Sequence, residues 1–376
     1  MSFFLEHIER ILQRYEGAPP LAAFLKQYYR QYPRLGSRDR RALTEAVYLY
    51  YRCRRFLPDA LPFAEVIARA ITWCGSGNAF LQKHIPASSS GAAPQTLEEF
   101  AALLSPSMPL EEWLHALWQQ PALFIRIRRP GVKAALAAGG IAFETMPVPG
   151  NPDNDCLRLG SGIALENILP PQDYVVQDWA SQGSIYLIKS KLENMPSAVW
   201  DVCSGAGGKS LLLKDKLPSF ALLATDIRAG ILHNLRTRFR LYNSGKVQTL
   251  VLDSTDAEQV RQQIGGRRFG LVVCDVPCSG SGTWARTPEQ FHFFREEQLQ
   301  RFRQLQYPIA RNAAGYVAPG GTFAYITCSV FETENEAVVA RLLQGHSLEL
   351  VTQQLINGAP YRADCMFVAV FRKKGD

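Results

Sequence analysis

From Ala198 onward the chain repeats one unit: a short apolar run, a turn, and a helical pattern leading to the next run. Residues 198–202 (AVWDV), Leu222–Asp226, Val247–Leu252, Phe269–Cys274 and Thr322–Thr327 read as buried strands. Helical patterns over Ala229–Tyr242, over Glu296–Val317 and from Glu332 separate them. Leu348–Gln353 and Met366–Phe371 supply further strands. Alternation of this kind predicts an α/β fold with a parallel, doubly wound sheet. Such sheets bind ligands at the carboxyl ends of their strands, so the residues that close each run carry the functional information.

The chain before this region reads differently. Residues 1 to about 85 are helical: Phe4, Leu5, Ile8, Ile11, Leu12 and Tyr15 form an apolar stripe at three- and four-residue spacing. Ser37-Arg38-Asp39-Arg40-Arg41 starts a further helix, with Ser37 or Asp39 as its cap. The stretch 86–95 (PASSSGAAPQ) reads as a linker or exposed loop. Leu110–Gln119 is a short helix, and Leu123–Arg129 alternates like a strand with one basic face. With strands at Phe143–Pro147 and Cys156–Leu159, this region forms a small α+β unit. The expected domains are 1–107, 108–180 and 181–376.

Hydrophobic residues make up 47% of the 376 and charged residues 20%, as in ordinary globular proteins. Lys and Arg number 41 against 34 Asp and Glu, and the net charge of +7 suits an anionic partner such as nucleic acid. Eight cysteines without framework spacing, no secretory signal and no spanning apolar run imply a reducing, cytoplasmic setting with free thiols and no membrane partner. A monomer is expected.

The segment DVCSGAGGKS (201–210) is a strand end, a glycine turn and a helix start. A phosphate-cradling loop needs glycine where Cys203 stands, and a dinucleotide fingerprint needs glycine where Ser210 stands. The third reading is a methyl-donor site, Asp-x-Cys-x-Gly-x-Gly, in which the glycines let the backbone approach the donor's amino-acid end. The next strands end at Asp226, placed to accept from ribose hydroxyls, and at Asp253, placed to accept from an adenine amino group. With Asp201, three successive strand ends carry Asp, which favours a nucleoside ligand over a triphosphate.

The fourth strand leads into Asp275-Val276-Pro277-Cys278-Ser279 and the fifth into Thr327-Cys328-Ser329. Two thiols and a carboxylate therefore stand at adjacent strand ends. Carbon 5 of cytosine is too poor a nucleophile to attack a methyl group unaided. A thiolate that adds to carbon 6 makes carbon 5 enamine-like, and a polar partner at ring nitrogen 3 stabilises the charge that develops. A second cysteine assists the later expulsion of the first. Cys53, Cys74, Cys156, Cys274 and Cys365 read as small buried hydrophobes. A zinc site from Cys203, Cys274, Cys278 and Cys328 lacks Cys-x-x-Cys spacing and a neighbouring His.

These residues resemble the RsmB/Nop/Nsun family of RNA (cytosine-5)-methyltransferases. The resemblance rests on VVQDWASQ (175–182), DVCSGAGGKS (201–210), ATDI (224–227), LDSTD (252–256), CDVPCSGSGT (274–283) and APGGTFAYITCSVFETENEAVV (318–339). The last two are highly specific, and together the segments cover about residues 170 to 340. The resemblance implies a Rossmann-like class I methyltransferase sheet, preceded by a helical NusB-like domain and a small α+β domain that contacts RNA. It implies Cys328 as nucleophile, Cys278 as the residue that helps release product, and Asp275 as a contact for both base and donor. It implies S-adenosyl-L-methionine as cofactor, held by Cys203, Ser204, Gly205, Ala206, Gly207, Gly208, Lys209, Asp226, Asp253 and Asp275. The family's usual Cys-Ala-Ala-Pro-Gly-Gly-Lys is changed here at 204–206, and loss of the proline predicts a less rigid loop. The implied partner is RNA, ribosomal RNA first because of the NusB-like front and transfer RNA second. The alternative is a non-catalytic RNA-binding assembly factor that keeps the fold. A nicotinamide-dependent dehydrogenase leaves both cysteine motifs unexplained.

Overall fold

A computed structural model of the chain describes residues 3–88, 94–345 and 347–375. The chain divides into two compact units. The first comprises residues 1–102, 109–120 and 283–295 and is helical: α1 (Phe3–Arg14), α2 (Leu21–Gln31), α3 (Ser37–Arg54), α4 (Phe63–Cys74), α5 (Ala79–His84), α6 (Leu110–Trp118) and α12 (Pro288–Phe293). The apolar stripe of α1 faces its core, where Phe4, Ile8 and Ile11 join Leu25, Leu43, Val47 and Ile71. The cap expected at Ser37 or Asp39 is Gly36 instead. Asp39 sits one turn inside α3, and its carboxylate accepts from the Gly36 N–H at 3.0 Å. Of the stretch 86–95, residues 89–93 lie outside the described residues.

Two segments join this unit from a distance in sequence. The helix expected to open the α+β unit, α6, belongs with the N-terminal helices, and so does 283–295 from between β8 (Phe269–Asp275) and α13 (Glu297–Ala314). Arg52 explains part of this. It is 3% exposed, and one of its guanidinium nitrogens donates to the carbonyls of Leu117, Gln119 and Ala285 at 2.8–2.9 Å. Two neighbouring arginines are engaged as well: Arg54 donates to Pro58 O and Asp59, and Arg55 to Phe291 O.

The second unit holds two sheets. The smaller has β1 (Leu123–Ile127), β2 (Phe143–Thr145), β3 (Cys156–Leu159) and β4 (Tyr174–Val176), all antiparallel in the order β2-β3-β1-β4, with α7 (Val132–Ala138) packed on it. The basic face expected on β1 is not a surface. Arg126 is 1% exposed, and both Arg126 and Arg128 close on Asp215, at 2.6 Å and 2.7 Å.

The larger sheet contains β5 (Ala198–Asp201), β6 (Ala221–Asp226), β7 (Gln248–Val251), β8 (Phe269–Asp275), β9 (Val317–Thr327), β10 (Leu348–Ile356) and β11 (Met366–Lys373). Helices α8 (Trp179–Ser190), α9 (Gly208–Lys216), α10 (Ala229–Leu241), α11 (Ala257–Ile264), α13 (Glu297–Ala314) and α14 (Glu336–Gly345) accompany it. The strand order is β10-β11-β9-β8-β5-β6-β7. The five strands from β9 to β7 are parallel, as the alternation predicts. The sheet as a whole is mixed, because β11 runs antiparallel to both β9 and β10. The cause is the connection: α14 carries the chain across to β10, whereas no α-helix lies between β10 and β11, so the chain reverses into the gap beside β9. The core runs through Val199, Leu211, Leu222, Ala224, Leu271, Val273, Ala324, Ile326 and Val368. No helix among the described residues is long and apolar enough to cross a membrane.

Candidate active site

The five parallel strands β5 to β9 place the site at their carboxyl ends. β5 ends at Asp201, and the turn 203–207 leads into α9. Gly205 and Gly207 hold φ of 52° and 78°, the left-handed region. A Cβ on Gly207 would lie 2.7 Å from Leu235 Cγ, so this position also needs the missing side chain. Hydrogen bonds fasten the loop that lacks the family's proline. Ser204 donates its N–H (2.9 Å) and its hydroxyl (3.1 Å) to Thr225 O, and Gly205 N–H donates to Asp226 Oδ2 at 3.1 Å. Arg238 donates to Ala206 O at 3.0 Å, so three successive residues of the loop are fastened.

The strand-end carboxylates do not behave alike. Asp201 is 1% exposed, accepts from the Ser210 hydroxyl and lies outside the cavity walls. Of the three strand-end Asp, Asp226 and Asp253 line the cavity. Burial pushes the Asp201 carboxyl up to about 7, the Ser210 bond opposing and the charge of Asp275 adding to the rise. Asp226 accepts from Gly205 N–H on one oxygen, and the exposed Arg228 guanidinium reaches both oxygens at 3.0 and 3.2 Å. Asp253 folds back on its own loop, Oδ1 accepting from the N–H and hydroxyl of Thr255 at 2.9 and 2.6 Å.

The two cysteine loops follow β8 and β9, whose register aligns Asp275 with Ile326. Cys278 Sγ lies 3.2 Å from Cys328 Sγ. The hydrogen bond to Cys328 and then burial raise the Cys278 thiol well above its ordinary value. Burial, joined by the negative charges of Asp226 and Asp275, raises Cys203. Lys209, in the first turn of α9, donates to Asp275 Oδ2 at 2.7 Å. Burial acts to lower this ammonium, but the Asp275 charge and hydrogen bond outweigh it, and the net shift is upward.

A cavity of about 520 Å³ gathers Cys203, Asp226, Arg228, Asp253, Asp275, Cys278 and Cys328 with apolar Ile227, Leu252, Val276, Leu305 and Ile309. Of the residues expected to hold the cofactor, Ser204, Gly205, Ala206, Gly207, Gly208 and Lys209 do not line it. Glu334 has no counterpart among the residues expected from the sequence. It is fully buried, and its carboxylate accepts from Ser279 N–H (2.8 Å), the Ser279 and Ser329 hydroxyls (2.5 Å each) and Gln306 Nε2 (3.0 Å). It lies inside the block 318–339. Its only sequence signal is that of an acid six residues after Cys328.

Residues 188–368 match the family described as 16S rRNA methyltransferase RsmB/F. Ribosomal RNA small subunit methyltransferase B of Xanthomonas campestris is 29% identical over 230 residues, covering 59% of this chain and 50% of that protein. The protein of the same name from Erwinia tasmaniensis is 28% identical over 200 residues, covering 51% and 44%. The chain thus spans about half the length of these relatives. Among solved structures, PH0851 superposes with a TM-score of 0.70 at 18% identity, covering 93% of each chain. NSun6 from Pyrococcus horikoshii, solved with SFG, gives 0.62 at 13% identity, covering 75% of this chain and 99% of its own. These likenesses show a shared fold. The family match runs from within α8 into β11, so residues 188–368, which carry the parallel strands and both cysteine loops, are similar to the RsmB/F methyltransferase family.

Proposed function

We propose that this protein methylates carbon 5 of a cytosine in RNA, ribosomal RNA first and transfer RNA second, through a covalent adduct at Cys328. The observation that carries the reading is the 3.2 Å approach of the Cys278 and Cys328 sulfurs beside Asp275, on the wall of the cavity that Asp226 and Asp253 share. The cofactor is S-adenosylmethionine, which supplies the methyl group as an electrophile. The walls suit it. Leu252, Ile227 and Ile309 offer apolar surface for an adenine, and Asp226 is an acceptor for ribose hydroxyls. The exposed Arg228 guanidinium, paired with Asp226 through Nε and Nη2, gives way when those hydroxyls take its place.

Each residue then has a defined task. The Cys328 thiolate adds to carbon 6 of the cytosine, forming an S–C6 bond and pushing the C5–C6 π electrons toward carbon 5 and ring nitrogen 3. Asp275, oriented by Lys209, faces the amino and nitrogen-3 edge, and Lys209 offsets the negative charge that grows there. Once carbon 5 has taken the methyl group, with the neutral thioether as leaving group, its hydrogen leaves as a proton to water. The electrons of that C–H bond re-form the C5–C6 double bond and expel Cys328. Cys278, with its raised affinity for a proton and its sulfur against Cys328, assists the expulsion.

The test is methyl transfer from labelled S-adenosylmethionine to unmodified small-subunit ribosomal RNA and to transfer RNA. Wild type is expected to label cytosine carbon 5, and Cys328→Ala to be inactive while still binding cofactor. Equal activity in Cys328→Ala would sink the nucleophile assignment. Calorimetry that detects no binding of S-adenosylmethionine would favour a non-catalytic assembly factor.

A further inference from the structure

The opposite ends of the same strands carry a second hollow. A groove of about 610 Å³ opens where β5, β6 and β8 begin, at Ala198, Ala221 and Phe269. Four cations line it, Lys214, Lys246, Arg267 and Arg268, and no carboxylate does. Lys246, Arg267 and Arg268 are exposed. The nearest acid in sequence, Asp215, is occupied by Arg126 and Arg128, and Glu258 in the preceding α11 is paired with Arg261. The positive charge of the groove is therefore uncompensated by either.

A track connects the two hollows. Residues 227–252 contain Arg228, Arg236, Arg238, Arg240 and Lys246 and no Asp or Glu. Arg228 forms part of the cavity wall at one end, and Lys246 lines the groove at the other. Between them runs α10, whose 13 residues span about 20 Å. Arg236 and Arg240, four residues apart on one helix face, are exposed, while Arg238 is engaged with Ala206 O. Charge is one device by which proteins blunt an edge strand such as β7. That does not explain this charge, since β7 itself (Gln248–Val251) carries none.

We propose that this groove and the outer face of α10 form a second binding site, for the phosphodiester backbone of RNA outside the reacting nucleotide. The inference rests on the RNA reading above. A polyanion several phosphates long fits cations spaced over about 20 Å, whereas a single phosphate engages only one end. Binding of this kind positions the RNA without reading its bases.

The experiment uses the full chain and the variant K246E/R267E/R268E, whose substitutions lie in the groove and away from the cavity. Binding of an unmodified small-subunit ribosomal RNA transcript is measured over a series of salt concentrations. The variant is expected to bind roughly tenfold or more weakly, and the salt slope to fall by about 0.7 for each single-strand phosphate that is no longer neutralised. KM for RNA rises, while kcat at saturating RNA, affinity for S-adenosylmethionine and melting temperature hold. Unchanged affinity and slope overturn the groove and leave the functional reading standing. A parallel loss of cofactor binding or melting temperature also overturns it, since the charges would then serve the fold. Loss of binding to phosphatidylserine vesicles with RNA binding intact overturns RNA as the occupant. A wild type that binds no RNA at any salt overturns the functional reading and the groove with it.

Discussion

Ser279 and Ser329, each the residue that follows a cysteine, donate their hydroxyls to the same oxygen of Glu334, at 2.5 Å. One buried carboxylate thus ties together the two loops that bring Cys278 and Cys328 to 3.2 Å. Gln306 extends the tie by donating to both Glu334 and Pro277 O at 3.0 Å.

Glu334→Gln keeps the volume but turns one acceptor into a donor facing hydroxyls. We expect kcat to fall by roughly 100-fold, as misplacing reacting groups by about 1 Å does. Affinity for S-adenosylmethionine is expected to stay unchanged. Glu334→Ala strands buried donors at about 1–3 kcal/mol each and lowers the melting temperature as well. A Glu334→Gln protein with wild-type kcat would show that the tie does not set the thiol geometry.

In the proposed mechanism Cys278→Ala removes the group that assists expulsion and leaves Cys328 able to attack. We expect a covalent protein–RNA complex to accumulate, visible as a slower band on a denaturing gel. Cys278→Ala/Cys328→Ala should show none. Absence of the band in the single variant, with active wild type, would refute the two-cysteine division of labour.

The loop glycines should separate in a paired experiment. Gly205→Ala meets nothing within 4 Å, so only its left-handed backbone is strained, at about 1–2 kcal/mol. Gly207→Ala adds a collision with Leu235 Cγ at 2.7 Å and is expected to lower the melting temperature further and weaken cofactor binding more. Equal behaviour of the two variants in calorimetry would contradict the geometry.

Asp201 makes stability depend on pH. Its carboxyl keeps a proton up to about 7 in the folded protein against 3.8 ordinarily. A raised value means that its contribution is fully present below 3.8 and is lost as pH climbs toward 7. At 1.36 kcal/mol per unit the loss is about 4 kcal/mol. Asp201→Asn cannot ionise, so its stability relative to wild type should rise across this window. Denaturant unfolding from pH 4 to 8 reads the difference, and parallel curves would refute the assignment.

Legibility in the sequence follows the range of the interactions. The strands from β5 to β9 are readable because each is a compact apolar run closed by a chemically distinctive residue. That pattern alone puts Asp226, Asp253, Asp275, Cys278 and Cys328 at strand ends. Pairing across long separations is not readable. Nothing near Arg126 and Arg128 announces Asp215, nearly 90 residues away, so a buried clamp looks like a basic face. Arg52 and the carbonyl of Ala285 are farther apart still, and no local pattern assigns 283–295 to the helical unit. Asp201 looks like its neighbours because a strand end does not say which way a side chain turns. The antiparallel course of β11 is hidden because the apolar pattern of a strand carries no direction.

The position of β11 has a temporal consequence. β9, which ends beside Cys328, is hydrogen-bonded to β8 on one edge and to β11 on the other. The Cys365 N–H donates to Gly282 O, and Gly282 N–H donates to Cys328 O, at 2.8 and 2.9 Å. A ribosome releases β11 after every residue of the cavity. A nascent chain therefore carries both thiols before the edge that braces them exists, and the thiol pair is assembled late in synthesis.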